Sequence, residues 1–182
     1  MILPNRLNRM ASPPNTLNLV IELIRTFMQL ERDQVVLYNQ NWKVPTDDRL
    51  YIAVAFRSEK PYGSSKEYMN NEDGTALVEV ISFNSQETYT ISVYSFGPEA
   101  LERKEEVLMA FNSTLAEQIQ EKYGFKLPLL PLSFLDLSDI EGASRLNRYE
   151  TNVAVLRVRS KTNIVQYFDQ FENPPKNILI NP

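Results

Sequence analysis

Histidine and cysteine are both missing from these 182 residues. Histidine is the side chain that titrates nearest neutral pH and the commonest metal ligand. Cysteine supplies thiolate nucleophiles, zinc ligands and disulfides. Their absence excludes Ser-His-Asp and Cys-His catalysis, structural zinc and a disulfide scaffold. An enzyme built on this chain would have to work through Asp, Glu, Lys, Arg or Tyr, as carboxylate-only glycosidases do. Long apolar runs are also lacking: none approaches the ~20 residues that span a bilayer. Met1-Ile2-Leu3-Pro4-Asn5-Arg6 lacks the basic and apolar stretches of a signal peptide, so synthesis in the cytoplasm and no membrane partner are expected. A surplus of basic charge is missing too. Nineteen Lys and Arg against 23 Asp and Glu give a net charge of −4. That balance offers no basic face for phosphates, and specific nucleic-acid binding is not expected.

What is present suffices for one ordinary domain, with 43% apolar residues for its core. The expected organisation is an N-terminal arm over 1–14, a single domain over 15–171 and a C-terminal arm over 172–182. Both arms are bounded by proline, which removes a backbone donor and restricts the residue before it. Both also carry apolar residues that a solvated tail does not need: Ile2, Leu3 and Leu7 at one end, Ile178, Leu179 and Ile180 at the other. An extended Ile-Leu-Ile segment suits addition to the sheet edge of a neighbour, so the arms are candidate intersubunit clamps.

Within the domain, Asn15 or Thr16 can cap a helix whose Leu17, Val20, Ile21, Ile24, Phe27 and Met28 share one face. Val35–Tyr38 reads as a short strand. Leu50–Phe56 reads as a central strand, apolar on both faces. The polar stretch from Arg57 to Thr75 has no apolar periodicity and reads as a long loop or a protruding hairpin. It is the best partner-facing candidate, through Tyr62, Lys66 and Tyr68. Ala76–Phe83 and Glu87–Phe96 read as two strands, with Tyr89, Ile91 and Val93 facing opposite to Thr88, Thr90, Ser92 and Tyr94. Gly97-Pro98 then opens a helix expected to run to Tyr123, roughly 39 Å, ended by Gly124. Glu99 is placed to pair with Arg103. A proline-interrupted segment follows, and then two closing strands near 149–159 and 163–171. The fold class expected is α+β: a mostly antiparallel sheet packed against an N-terminal helix and one long central helix.

Motifs for chemistry are few. Gly63-Ser64-Ser65-Lys66 lacks the glycine spacing and residue order of a phosphate-binding loop. Asp136, Asp139 and Glu141 do not match a calcium loop, and Ser138 with Glu141 reads better as a capping box. Asp47-Asp48 and Glu72-Asp73 are turn chemistry. No metal, cofactor or catalytic residue is expected. Trp42 is either a lid over the core or an interface anchor. Arg145, Arg148, Arg157 and Arg159 are either a solvated sheet face or a patch that pairs with Glu102, Glu105 and Glu106 of another subunit.

The block Glu79-Val-Ile-Ser-Phe-Asn-Ser-Gln-Glu-Thr-Tyr-Thr-Ile-Ser-Val-Tyr-Ser-Phe-Gly97 runs into Pro98-Glu-Ala-Leu101. With the late strand over 148–159 and Val165-Gln-Tyr-Phe-Asp-Gln-Phe171, it resembles the tail-terminator and neck proteins of tailed bacteriophages. The resemblance covers roughly Asn15–Phe171. It implies a sandwich-like domain that assembles into a ring, usually a hexamer. It further implies a virion location in the tail or neck after assembly in the host cytoplasm. The implied partners are further copies of the chain, the tail tube and possible sheath protein, and a neck or head-completion protein, with DNA only passing through the lumen. No enzymatic residue comes with it. Two other readings stay open, a non-ring binding module or tail assembly chaperone, and a carboxylate-dependent hydrolase.

Overall fold

The computed structural model describes residues 15–38, 42–70, 76–127, 133–141 and 144–165. Both arms fall outside these, and with them Ile2, Leu3, Leu7, Ile178, Leu179 and Ile180. The chain divides into two compact units, one of Met1–Tyr62 with Asn84–Val158, the other of Gly63–Phe83 with Arg159–Pro182.

The first unit opens with α1 (Thr16–Met28). Asn15 is its cap, its side-chain oxygen accepting from the Leu17 N–H at 3.2 Å, which satisfies one of the free donors at a helix start. Gln29 closes the helix in the left-handed conformation. Leu17, Val20, Leu23, Ile24 and Met28 are buried, as the 3.6-residue period of a one-sided helix requires. β1 (Val35–Leu37) lies parallel to β2 (Tyr51–Asn70), with Val35 opposite Ile52 and Leu37 opposite Val54. The intervening stretch from Tyr38 to Leu50 is long enough for the crossover a parallel pair needs.

β2 pairs next with β3 (Leu77–Ser95), and β3 with β7 (Ser144–Val165). Residues 71–76 are too few for a parallel crossover, so β2 and β3 are antiparallel. Thr90 faces Asn152 and Ser92 faces Glu150. The partners step in opposite directions, so β3 and β7 are antiparallel as well. On the other edge of β7 lie two-residue β4 (Phe125–Lys126) and β5 (Leu135–Asp136), both antiparallel to it. β6 (Asp139–Glu141) forms a separate ladder with the start of β7.

The main core lies between one sheet face and the helices: Ile52, Val54, Tyr89, Ile91, Val93, Val153 and Val155 meet α1, α2 (Glu99–Phe111) and α3 (Thr114–Tyr123). A smaller cluster of Tyr51, Ala53, Tyr94 and Leu146 occupies the other face, beside Trp42, Val44 and Phe96. Among the described residues no helix is long and apolar enough to cross a membrane.

This corrects the expected fold class. The protein is mostly sheet, the sheet is mixed because β1 is parallel, and there is no single long central helix. The helix expected over 98–123 breaks at Asn112 and Ser113. Ser113 adopts an extended conformation and accepts from the Ala116 N–H at 3.2 Å, starting α3 afresh. Its hydroxyl donates to the Ala110 carbonyl at 2.7 Å, and the Asn112 amide donates to the Leu108 carbonyl at 3.1 Å. Such side chains compete for backbone groups and favour helix ends over helix interiors. Where two strands each were expected, β3 and β7 run continuously over their described lengths.

Candidate interface surface

The odd-numbered β3 residues stay buried from Val93 back to Ser85, and among them Glu87 is a buried carboxylate. It accepts from the Tyr89 hydroxyl and lies 3.9 Å from Arg157 Nη1. The same Arg157 nitrogen donates to Thr16 Oγ1 at 2.7 Å, at the first turn of α1. Burial pushes the Tyr89 phenol far above its ordinary range, and its bond to the Glu87 carboxylate adds to the shift. These groups satisfy one another away from water, an arrangement suited to fixing α1 on the sheet. A charged residue in step with Tyr89, Ile91 and Val93 is the sequence signal that could have found it. Arg157, in step with Val153 and Val155, is the matching one.

The opposite face carries a groove of about 270 Å³. Ala53 and Ala55 give it depth, and Thr90 and Ser92 form its polar floor. Arg148 donates to Glu150 at 2.8 Å, and Arg57 lies 3.9 Å from the same carboxylate. Arg57 also donates to Thr90 Oγ1 at 3.0 Å. Arg148 stacks over Tyr94 at 5.3 Å, and Trp42 meets the Tyr94 ring at 5.5 Å. Trp42 is thus half-buried as a lid over the smaller core cluster.

The expected arginine patch divides by strand parity. Arg148 sits on the open face, whereas Arg157 turns beneath α1. Arg159 is exposed in the second unit. The acidic positions divide as well. Glu106 accepts from Arg103 at 2.8 Å, which holds its carboxyl below the usual range against the opposing effect of burial. Arg103 therefore serves Glu106, and also donates to the Met28 carbonyl at the end of α1 (3.1 Å), where a cation is favoured. Glu105 is exposed 3.7 Å from Lys104, and Glu102 is exposed. The stretch expected to hold a capping box forms the short strands β5 and β6 instead of a helical turn. Ser138 donates its N–H to Asp136 at 2.9 Å and accepts from the Arg148 N–H at 3.1 Å.

Tyr62 is 57% exposed beside a second groove of about 460 Å³ lined also by Phe125, Leu156 and Val158. In the second unit, Lys66 pairs with Glu79 at 2.7 Å, and the Tyr68 hydroxyl donates to the same carboxylate at 3.3 Å. The hydrogen bond from Lys66 holds the Glu79 carboxyl below its usual range, and Glu79 in turn raises the Lys66 ammonium. Tyr68, Met69, Phe83 and Ile164 are exposed apolar side chains in this unit.

Among the described residues, the outer edge of β2 is paired over part of its length. The Ile52 N–H donates to the Gln34 carbonyl, and the Tyr38 N–H to the Val54 carbonyl. Even-numbered residues here therefore turn their backbone groups toward β1. Beyond Val54 no described strand continues β1, although β2 runs on to Asn70. By the same alternation Phe56, Ser58 and Lys60 turn their backbone groups to the side of β2 that β1 occupies. Pro61 suits such an edge, since proline is confined to edge strands, strand starts and bulges.

No group of three or more potential ligands that could hold a metal ion occurs among the described residues. The chain matches no protein-family model and no curated protein sequence.

Proposed function

We propose that this chain is a non-enzymatic structural protein of a phage virion, of the tail-terminator or neck type. It closes into a ring at the head-proximal end of the tail, stops growth of the tube or sheath, and joins the tail to the head. The observation that carries this reading is the outer edge of β2, left without a described partner strand from Ala55 onward. Folded proteins keep such edges short, charged or covered, because an open edge recruits another chain. A ring uses this property, since each subunit must offer two different surfaces that meet around the circle. The exposed aromatic residues Phe56, Tyr62 and Tyr68 on the same strand add apolar area for such contacts. The carboxylates on the two sheet faces are held by their neighbours: Glu87 with Tyr89 and Arg157, and Glu150 with Arg57 and Arg148.

The test is assembly of the cognate tail-tube protein with and without this chain, followed by electron microscopy. Tubes capped at one end by a ring, and no longer growing there, are the expected result. Tubes that elongate unchanged and carry no added density would overturn the proposal.

A further inference from the structure

Resting on that ring reading, we infer that the groove flanked by Arg57 and Arg148 receives the exposed acidic face of α2, Glu102 and Glu105, from a second copy of the chain. The charges that line the groove do not balance. Two guanidiniums, Arg57 and Arg148, stand against the single carboxylate of Glu150. Arg148 holds that carboxylate at 2.8 Å, and the Ser92 hydroxyl donates to it at 3.1 Å. Arg57 lies farther off, at 3.9 Å, with 64% of its side chain exposed. Its Nε donates to Thr90 at 3.0 Å, which leaves the outer fork of the guanidinium toward a carboxylate that it barely reaches. Such a fork suits a second carboxylate, taken two-pronged.

α2 carries the complement. Arg103 is committed to Glu106 and to the Met28 carbonyl. Glu102 and Glu105 stay exposed, Glu105 beside Lys104 at 3.7 Å, a surface pair of the kind that holds weakly. At 3.6 residues per turn, Leu101, Glu105, Met109 and Glu102 fall within about 100° of the helix surface. Leu101 and Met109 are more than half exposed, so the acids sit in an apolar setting. Phe56 and Tyr38, both exposed, give the groove apolar walls to match. The two surfaces lie on opposite faces of one sheet. α2 packs on the side of Tyr89, Ile91 and Val93, whereas the groove opens on the side of Thr90, Ser92 and Tyr94. They cannot meet within one chain. Between copies they form a heterologous contact, the kind that closes rings.

Charge exchange tests it. One full-length chain carries Arg57→Glu, and the other carries Glu102→Arg with Glu105→Arg. Native mass spectrometry follows each alone and both in equimolar mixture, beside tube protein if the unmodified chain needs it to assemble. The two chains differ in mass, so the composition of a ring is read directly. Either chain alone should fail to close a ring, because its groove and helix then carry the same sign. The mixture should restore rings holding equal numbers of each, since unmodified and reversed contacts alternate around the circle. Arg57→Gln, a milder change at an exposed position, should raise the concentration needed for assembly by ~10-fold or more. Rings from the Arg57→Glu chain alone, or an unchanged assembly concentration for Arg57→Gln, overturn the inference and leave the ring reading intact. So does a mixture that stays unassembled while the unmodified chain forms rings. Absence of rings from the unmodified chain, alone and with tube protein, overturns both.

Discussion

Arg157 and Glu87 face each other at 3.9 Å with side chains only 11% and 3% exposed, joined through Tyr89 and Thr16 into one buried network. Removing one partner of a buried ion pair costs about 3–5 kcal/mol, because the other charge stays buried without its counter-ion. Arg157→Ala should therefore destabilise the protein by ~3–5 kcal/mol in urea unfolding. Arg25→Ala, which breaks a surface pair with Glu22 within α1, should cost less than ~1 kcal/mol.

The same network makes a prediction at alkaline pH. Burial first, and the bond to Glu87 second, raise the Tyr89 phenol in the folded state. The folded protein thus holds this proton more tightly than the unfolded chain does. The resulting stability is complete below about pH 10, the ordinary tyrosine value, and is lost as pH rises toward the folded-state value. Unfolding measured from pH 8 to 11 should show stability falling above pH 10. In Tyr89→Phe that part of the slope should be absent, on a baseline lowered by ~1–3 kcal/mol for the lost hydrogen bond.

In the second unit, Glu79 titrates below the usual glutamate range because Lys66 donates to it. Its contribution is present above the unfolded-state value and is lost as pH falls through the lowered folded value. Lys66→Met should move the Glu79 carboxyl resonance, followed by NMR across pH 2–7, upward toward the ordinary glutamate value. An unchanged titration would mean that the pair does not form in solution.

The start of α3 is capped by the Ser113 hydroxyl. Ser113→Ala removes the acceptor for the Ala116 N–H and should cost ~1 kcal/mol of thermal stability. Ser113→Asp, which keeps an acceptor at a helix N-terminus, should restore most of it.

The parts legible in the sequence are those where residue character changes with the face, at the period of a helix or a strand. α1 carries its apolar stripe from Leu17 to Met28, and β3 separates Tyr89, Ile91 and Val93 from Thr90, Ser92 and Tyr94. Most of β2 hides itself for the converse reason. From Phe56 to Asn70 nearly every side chain is exposed, so nothing alternates and a strand resembles a loop. The sequence reads as one long helix because the apolar period carries across Asn112 and Ser113, while their cap chemistry is local. The arginines near 145–159 looked like one patch because sequence proximity conceals parity: Arg148 and Arg157 differ by an odd number of residues and lie on opposite faces of β7. The buried network is hidden in the sequence because Glu87 and Arg157 are distant along the chain, though each interrupts an apolar alternation.

Native mass spectrometry of the purified full chain, over a range of concentration and salt, tests the central claim most directly. The account predicts a closed ring, six copies by the phage resemblance, with no open series of larger oligomers. A monomer at every concentration, and still a monomer beside tube protein, would contradict it.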